Sequence, residues 1–279
     1  MKTDLSGKIA VVTGAGGVLC SRFAVALAQS GAKVALLNRT LAKAEKIEEE
    51  IKALGGEAIS VQVDVTSKEG CEKAHEEVVA RLGKCDILIN GAGGNNPIAT
   101  ADEEFFSEET MEDPAKKSFF DLDQTGFTSV FGLNIVGVLL PTQVFARDLA
   151  EKKNGVIINV SSMNAYRPLT KIPAYSAAKA AVSNFTQWLA VYFAQAGIRC
   201  NAIAPGFFST AQNKALLWNE DGTPTARTGK ILRNTPMGRF GEPEELLGTL
   251  LWLCDDSASG FVTGITVPVD GGFSAYSGV

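Results

Sequence analysis

Histidine is almost absent: the 279 residues include one, His75, in a charged helical stretch. With no second histidine, and five cysteines (Cys20, Cys71, Cys85, Cys200, Cys254) in no paired metal spacing, no metal centre is expected. The odd cysteine count also argues against a disulfide framework, so reduced thiols buried in a cytoplasmic protein are expected. Positive charge is not in excess. Lys and Arg total 26 against 31 Asp and Glu, a net charge of −5, which excludes a basic footprint for nucleic acid. No uninterrupted apolar run reaches membrane-spanning length, and Met1-Lys2-Thr3-Asp4-Leu5 does not open a signal peptide, so no membrane association is expected. No repeat or low-complexity linker divides the chain, and one domain over residues 1–279 is the expectation.

What is present is a strand–helix alternation. Hydrophobic residues make up 46% and charged residues 20%, the balance of a globular enzyme. Short apolar runs at 9–12, 34–37, 59–63, 87–90, 156–160, 199–204 and 262–269 read as strands. Helical patterns fill 19–30, 41–54, 68–82, 125–150, 175–196 and the stretch from 243 to 253. The strands are continuously apolar rather than alternating, so both sheet faces should be covered. This predicts an α/β fold: a Rossmann-type, doubly wound parallel sheet with helices on both faces. Two segments stand apart, an acidic and aromatic insertion near 94–120 and a polar, turn-rich stretch near 207–240. Long loops of this kind are usually functional, and the second is expected to be a substrate lid.

Chemistry-bearing residues fall at the predicted strand ends. Thr13-Gly14-Ala15-Gly16-Gly17-Val18-Leu19 joins the first strand to the first helix, where glycines let backbone approach a pyrophosphate at a helix N-terminus. Asp64-Val65 follows the third strand and can accept from an adenine amine. Asn90-Gly91-Ala92 ends the fourth strand with small residues that leave room for a ribose. Pro205-Gly206 ends a late strand ahead of Thr210, which could hold a carboxamide. Cofactor choice rests on Asn38-Arg39 at the second strand end. Without an acidic residue to hold a ribose 2′-hydroxyl, the pair leans toward NADP over NAD.

Tyr175 and Lys179 lie four apart, on one face of a helix. A phenol beside an ammonium ion should have its ionised form favoured, and so exchange a proton near neutral pH. Ser162, after the strand at 156–160, can join them around one carbonyl. Asn134 is an amide inside an apolar helix and needs partners.

Together these motifs resemble the short-chain dehydrogenase/reductase family over nearly the whole chain. The carrying residues are Thr13-Gly14, Asp64-Val65, Asn90-Gly91-Ala92-Gly93, Asn134, Ser162, Tyr175 with Lys179, Pro205-Gly206 with Thr210, and Val262-Thr263-Gly264 with Val269-Asp270-Gly271-Gly272. The resemblance implies NAD(P)-dependent hydride transfer. Tyr175 would then be the general acid/base, and Lys179 would lower its pKa and hold the nicotinamide ribose. Ser162 would hold the substrate oxygen, and Asn134 a water that passes protons to Lys179. It also implies a homotetramer, and through the 93–97, 163–173 and 219–227 stretches a small-molecule sugar acid as substrate, with Asn95, Ser162, Asn164 and Arg227 as its contacts and Arg167 or Lys171 as alternates. A neutral ketose, another polyol, a keto-gluconate or a non-catalytic, cofactor-sensing role are the alternatives. One departure stands out. The family's turn reads Thr-Gly-x-x-x-Gly-x-Gly, and Val18 and Cys20 replace its last two glycines. Since a β-branched residue resists positive φ, an altered phosphate loop or weaker cofactor binding is expected.

Overall fold

The computed structural model describes residues 3–209 and 217–278. Seven strands form one sheet: β1 (Ile9–Thr13), β2 (Lys33–Asn38), β3 (Ala58–Gln62), β4 (Ile87–Asn90), β5 (Gly155–Val160), β6 (Ile198–Pro205) and β7 (Thr266–Val269). Their order is β3-β2-β1-β4-β5-β6-β7, and every pairing is parallel. The order reverses between β1 and β4, whose last residues, Thr13 and Asn90, are register partners. That reversal opens a crevice beyond the strand C-termini, where open α/β sheets bind ligands.

Helices α1 (Val18–Gln29), α2 (Leu41–Ala53) and α3 (Lys68–Arg81) follow the first three strands. A short α4 (Glu108–Glu112) lies in the insertion. Then come α5 (Gln124–Phe131), α6 (Gly137–Lys152), α7 (Pro173–Phe193), α8 (Ala226–Arg233), α9 (Leu247–Cys254) and α10 (Asp256–Ser259). Two cores sit on opposite faces of the sheet. Val12, Ile89, Ile158 and Ile203 join Phe23, Leu27, Leu250 and Leu253 on one. Val11, Leu88 and Ile157 join Val78, Phe145 and Leu149 on the other. Successive strand residues thus serve opposite cores, and burial of each large side chain contributes roughly 2 kcal/mol.

A buried polar ladder stitches the middle of the sheet to its helices. Asn90 Nδ2 donates to Thr142 Oγ1 and to Asn159 Oδ1, both at 2.9 Å, and Asn159 Nδ2 donates to Thr186 Oγ1 at 2.9 Å. The ladder holds the active ends of β4 and β5 against α6 and α7.

Three expectations change. The helix expected at 125–150 is broken by a π turn over Gly132–Val136, which carries Asn134. The last strand is shorter than 262–269, because the chain turns at Gly264 before pairing begins at Thr266. Finally, the combined helical stretch Gln124–Lys152 is long and apolar enough to cross a membrane, although no uninterrupted run predicted it. Polar residues interrupt the run without lowering its mean hydropathy of 1.6 much, and half of that window is buried inside the fold. It is a core helix, with Asn134 and Asp148 buried along it.

Candidate active site

A cleft of about 550 Å³ lies at the reversal, lined by the glycine turn, the ends of β2, β4 and β5, and α7. The predicted residues Gly14, Gly16, Gly17, Val18, Leu19, Asn38, Arg39, Asp64, Val65, Gly91, Ala92, Ser162, Tyr175, Lys179, Pro205 and Gly206 all line it. Thr210 falls outside the described residues.

Close backbone approach explains the turn. Gly14 sits at φ +66°, and a Cβ there would lie 2.9 Å from the backbone of Ala92. Thr13 Oγ1 accepts from the N–H groups of Gly91 and Ala92 at 3.0 and 3.2 Å, closing the two strand ends together. Gly17 caps α1 without any side-chain hydrogen bond, which leaves the first N–H groups of the helix for an anion. The turn therefore fits a pyrophosphate. Val18 does not carry the positive φ: it is the first residue of α1, and Gly14 takes the left-handed conformation instead. The backbone strain expected at Val18 does not arise.

The side of the cleft facing β2 is cationic. Arg39 is exposed and acts on Asp64, but hydrogen bonds from Thr66 are the main reason that carboxyl is held below its usual range. Asn38 is engaged with the chain itself, accepting from Gly16 N–H at 3.3 Å and donating to the Thr40 carbonyl at 2.8 Å. Lys43, which sequence reasoning missed, also lines this side; its signal was a second cation one helical turn beyond Arg39. Asn90 was expected to meet the cofactor. Its side chain instead belongs to the buried ladder, and the strand end offers the cleft Gly91, Ala92 and Gly93.

Ser162, Tyr175 and Lys179 come together as the spacing predicted. Ser162 lies just beyond β5, and its Oγ accepts from Asn164 N–H at 3.2 Å. Tyr175 and Ser162 line the same wall of the cleft, close enough for the serine hydroxyl to act on the phenol. Lys179, 4% exposed, donates to the Val160 carbonyl at 2.8 Å and lies 5.6 Å from the centre of the Tyr175 ring. Ser161 fixes the helix to the strand, donating to the Lys179 carbonyl at 3.1 Å and pairing with Ser183 at 2.7 Å.

Electrostatics correct one expectation. Burial raises the Tyr175 phenol above its ordinary 10.0, with the Ser162 hydroxyl opposing, so the phenol is not depressed in the protein alone. The ammonium of Lys179 lies over the ring and bonds a backbone carbonyl. Burial pushes Lys179 itself down, to about 8 from 10.5. The pair thus gives up its first proton from the lysine.

Asn134 is fully buried, and its amide braces the loop after β4. Nδ2 donates to the Val130 and Gly94 carbonyls at 2.8 and 2.7 Å, and Oδ1 accepts from Gly94 N–H at 3.3 Å. Gly93 lies between Asn134 and Lys179: a Cβ there would be 2.7 Å from one and 3.0 Å from the other. A π turn at such a junction is a common mark of a functional site.

The predicted substrate contacts are less well gathered. Among them only Ser162 lines the cleft. Asn95 is exposed and bonds Thr100 Oγ1 at 3.0 Å. Asn164 is 3% exposed, with a side-chain oxygen that has no partner. Arg227 is exposed on α8 and acts on Glu104, which Lys230 pairs at 2.8 Å. Arg167 bonds the Ser274 carbonyl at 3.2 Å, and Lys171, at φ +71°, bonds that of Asp102 at 2.5 Å. Exposed cations found nearby acids and carbonyls, which spacing along the chain does not reveal.

Comparison with known proteins agrees with this geometry. The short chain dehydrogenase family model matches residues 8–221. The chain is 57% identical to an uncharacterized oxidoreductase, UxuB, of Bacillus subtilis strain 168, over 99% of this chain and 98% of that protein. It is 34% identical to the 2-dehydro-3-deoxy-D-gluconate 5-dehydrogenase of Dickeya dadantii, over 98% and 97%. A crystal structure of a candidate D-mannonate oxidoreductase from Haemophilus influenza, with bound NAD, superposes with a TM-score of 0.96 at 56% identity, covering 99% of this chain and 98% of that one. The family match over residues 8–221 and these full-length likenesses show that the chain belongs to the short-chain dehydrogenase/reductase family of NAD(P)-dependent oxidoreductases.

Proposed function

We propose that this enzyme interconverts D-mannonate and D-fructuronate. The observation that carries the reading is the likeness, at 56% identity over nearly the full length, to the NAD-bound candidate D-mannonate oxidoreductase. Gly14, Gly16, Gly17, Val18 and Leu19 would hold the pyrophosphate, Asp64 and Val65 the adenine, and Gly91, Ala92, Pro205 and Gly206 the nicotinamide half, with Asn90 buttressing from behind. Arg39 and Lys43 support use of NADP as well as NAD. A bound nicotinamide supplies the hydride acceptor or donor.

The chain's own groups handle the proton. In reduction, the Tyr175 hydroxyl donates to the carbonyl oxygen of the sugar acid while Ser162 Oγ–H holds that oxygen. Charge developing on Tyr175 Oη is offset by the ammonium of Lys179, whose proton is within reach because burial has already weakened its hold. Asn134 positions the Gly93–Gly94 backbone against Lys179 and takes part in returning the proton. Oxidation runs the same transfers backward. Arg227, Asn95 and Asn164 are assigned to the sugar acid, with Arg227 facing its carboxylate.

A second reading has its own support: the 34% identical relative acts on a keto-deoxy-gluconate. A panel of D-fructuronate, 5-keto-D-gluconate, 2-dehydro-3-deoxy-D-gluconate derivatives and neutral ketoses, compared by kcat/KM at fixed cofactor, decides. The highest value should belong to D-fructuronate; a higher value for any other panel member replaces it as substrate. A homotetramer is also part of the proposal, supported by Trp188, Val191 and Tyr192 exposed along α7. Sedimentation should give four chains.

A further inference from the structure

The replacement of a family glycine by Cys20 has a structural counterpart across the cleft. Cys20, the third residue of α1, is 4% exposed, yet it lines the cleft with Gly91 and Lys179. Its sulfur occupies the space a side chain at position 91 would need: a Cβ on Gly91 would lie 2.1 Å from Cys20 Sγ. The same stretch of backbone is held on its other sides. Thr13 Oγ1 accepts from Gly91 and Ala92, Asn134 clasps Gly94, and Gly93 abuts both Asn134 and Lys179. The loop after β4 therefore sits between a thiol on one flank and the buried lysine on the other.

The thiol is no nucleophile. Burial pushes it up to about 12, so it is a neutral, polarisable filler at working pH. What it excludes is water. A glycine at position 20 would leave a gap beside Gly91, and a gap lined by backbone amides and an ammonium is one that water enters.

We propose that Cys20 is a positioning residue of this enzyme: seated against Gly91, it sets the Gly91–Gly94 backbone against Lys179 and Asn134 and keeps the lysine dry. The inference rests on the cleft being the dinucleotide site, and it goes beyond that assignment. Burial is the main cause of the lowered Lys179 pKa; the neutral Cys20 from α1, the Val160 carbonyl, the loop after β4 and the helix neighbour Tyr175 stand around it, and no charged group among the described residues acts on it appreciably.

The test combines dinucleotide binding, read by protein fluorescence on titration with NADH and NADPH, with the pH dependence of reduction. Cys20→Ala and Cys20→Gly should weaken dinucleotide binding on the order of tenfold. Their alkaline limb should move to higher pH, because readmitted water restores the charged form of Lys179. Cys20→Ser, which keeps the volume, should recover most of the affinity lost in Cys20→Ala. Gly91→Ala should bind poorly, and adding Cys20→Gly should restore part of that loss, not all, since the Thr13 carbonyl oxygen stays 2.9 Å from the new methyl. Native affinity together with a native alkaline limb in both Cys20→Ala and Cys20→Gly overturns the proposal, even if Gly91→Ala fails to fold. So does a Gly91→Ala defect that Cys20→Gly leaves untouched. Failure of the native protein to bind either dinucleotide would instead overturn the cofactor site itself.

Discussion

The cleft and the groups proposed for the substrate are made of different material. At the β1–β4 end the ligand-facing surface is mostly backbone: a glycine at positive φ, a helix N-terminus without a side-chain cap, and a loop packed so closely that Gly14 and Gly91 have no room for a Cβ. The groups proposed for the substrate, beyond Ser162, are polar side chains outside this cleft at Asn95, Asn164 and Arg227, with Arg167 and Lys171 as alternates, and several are already engaged: Arg167 and Lys171 with carbonyls, Arg227 acting on Glu104. A surface built from backbone is rigid and demands particular small residues. A surface built from side chains tolerates many residues and rearranges at little cost. Cofactor recognition should therefore break sharply on substitution, and substrate recognition should degrade gradually.

Predictions sharpen that contrast, beginning with the chemistry the two ends share. Tyr175→Phe should lower kcat on the order of 1000-fold, the usual scale for losing a general acid, while dinucleotide affinity stays near native. Rapid turnover in this variant would remove Tyr175 from the acid/base role. At the backbone end, Gly14→Ala forces a side chain into the left-handed region and against Ala92, so dinucleotide affinity should fall by about tenfold or more in titration. Native affinity would show that the close approach is not required.

The pH dependence tests the lysine. Lys179 loses its proton at about 8, well below the ordinary 10.5, because burial penalises the ammonium. Reduction needs that proton, so kcat/KM for reduction should decline as pH rises through about 8. Stability should respond oppositely. Between about 8 and 10.5 the unfolded chain holds a proton that the folded chain lacks, so this group's contribution to stability rises with pH over that window. A flat rate profile through pH 8 to 10 would contradict the assignment. The smallest effect is expected at the side-chain end. Arg227→Ala should raise KM for a sugar acid about fivefold, the scale of one exposed charge, and leave KM for a neutral polyol unchanged. Equal changes for both would exclude Arg227 from carboxylate recognition.

This contrast also decides what could be read from residues alone. Continuous apolar strands predicted a parallel sheet with two covered faces, and Val11 and Val12 serve opposite cores as that reading requires. Glycines and strand ends pointed to the cleft that is proposed to take the dinucleotide, because backbone approach restricts residue choice. The spacing of Tyr175 and Lys179 predicted their meeting, but not that burial would act more strongly on each than they act on one another. The π turn at Asn134 left no signal in an unbroken apolar pattern. Asn90 looked like a ligand because it ends a strand, and only its neighbours across the sheet, Thr142 and Asn159, show where its amide goes. Arg227 likewise could not be placed without knowing that Glu104 folds back toward α8.

A crystal structure of the enzyme with NAD(P) and D-mannonate tests the central claim most directly. The account predicts the reacting oxygen within hydrogen-bond distance of both the Tyr175 and Ser162 hydroxyls, with the Lys179 ammonium on the cofactor side of the phenol. A sugar acid whose reacting oxygen is bound away from those hydroxyls, or a dinucleotide seated outside the cleft at the β1–β4 reversal, would contradict it.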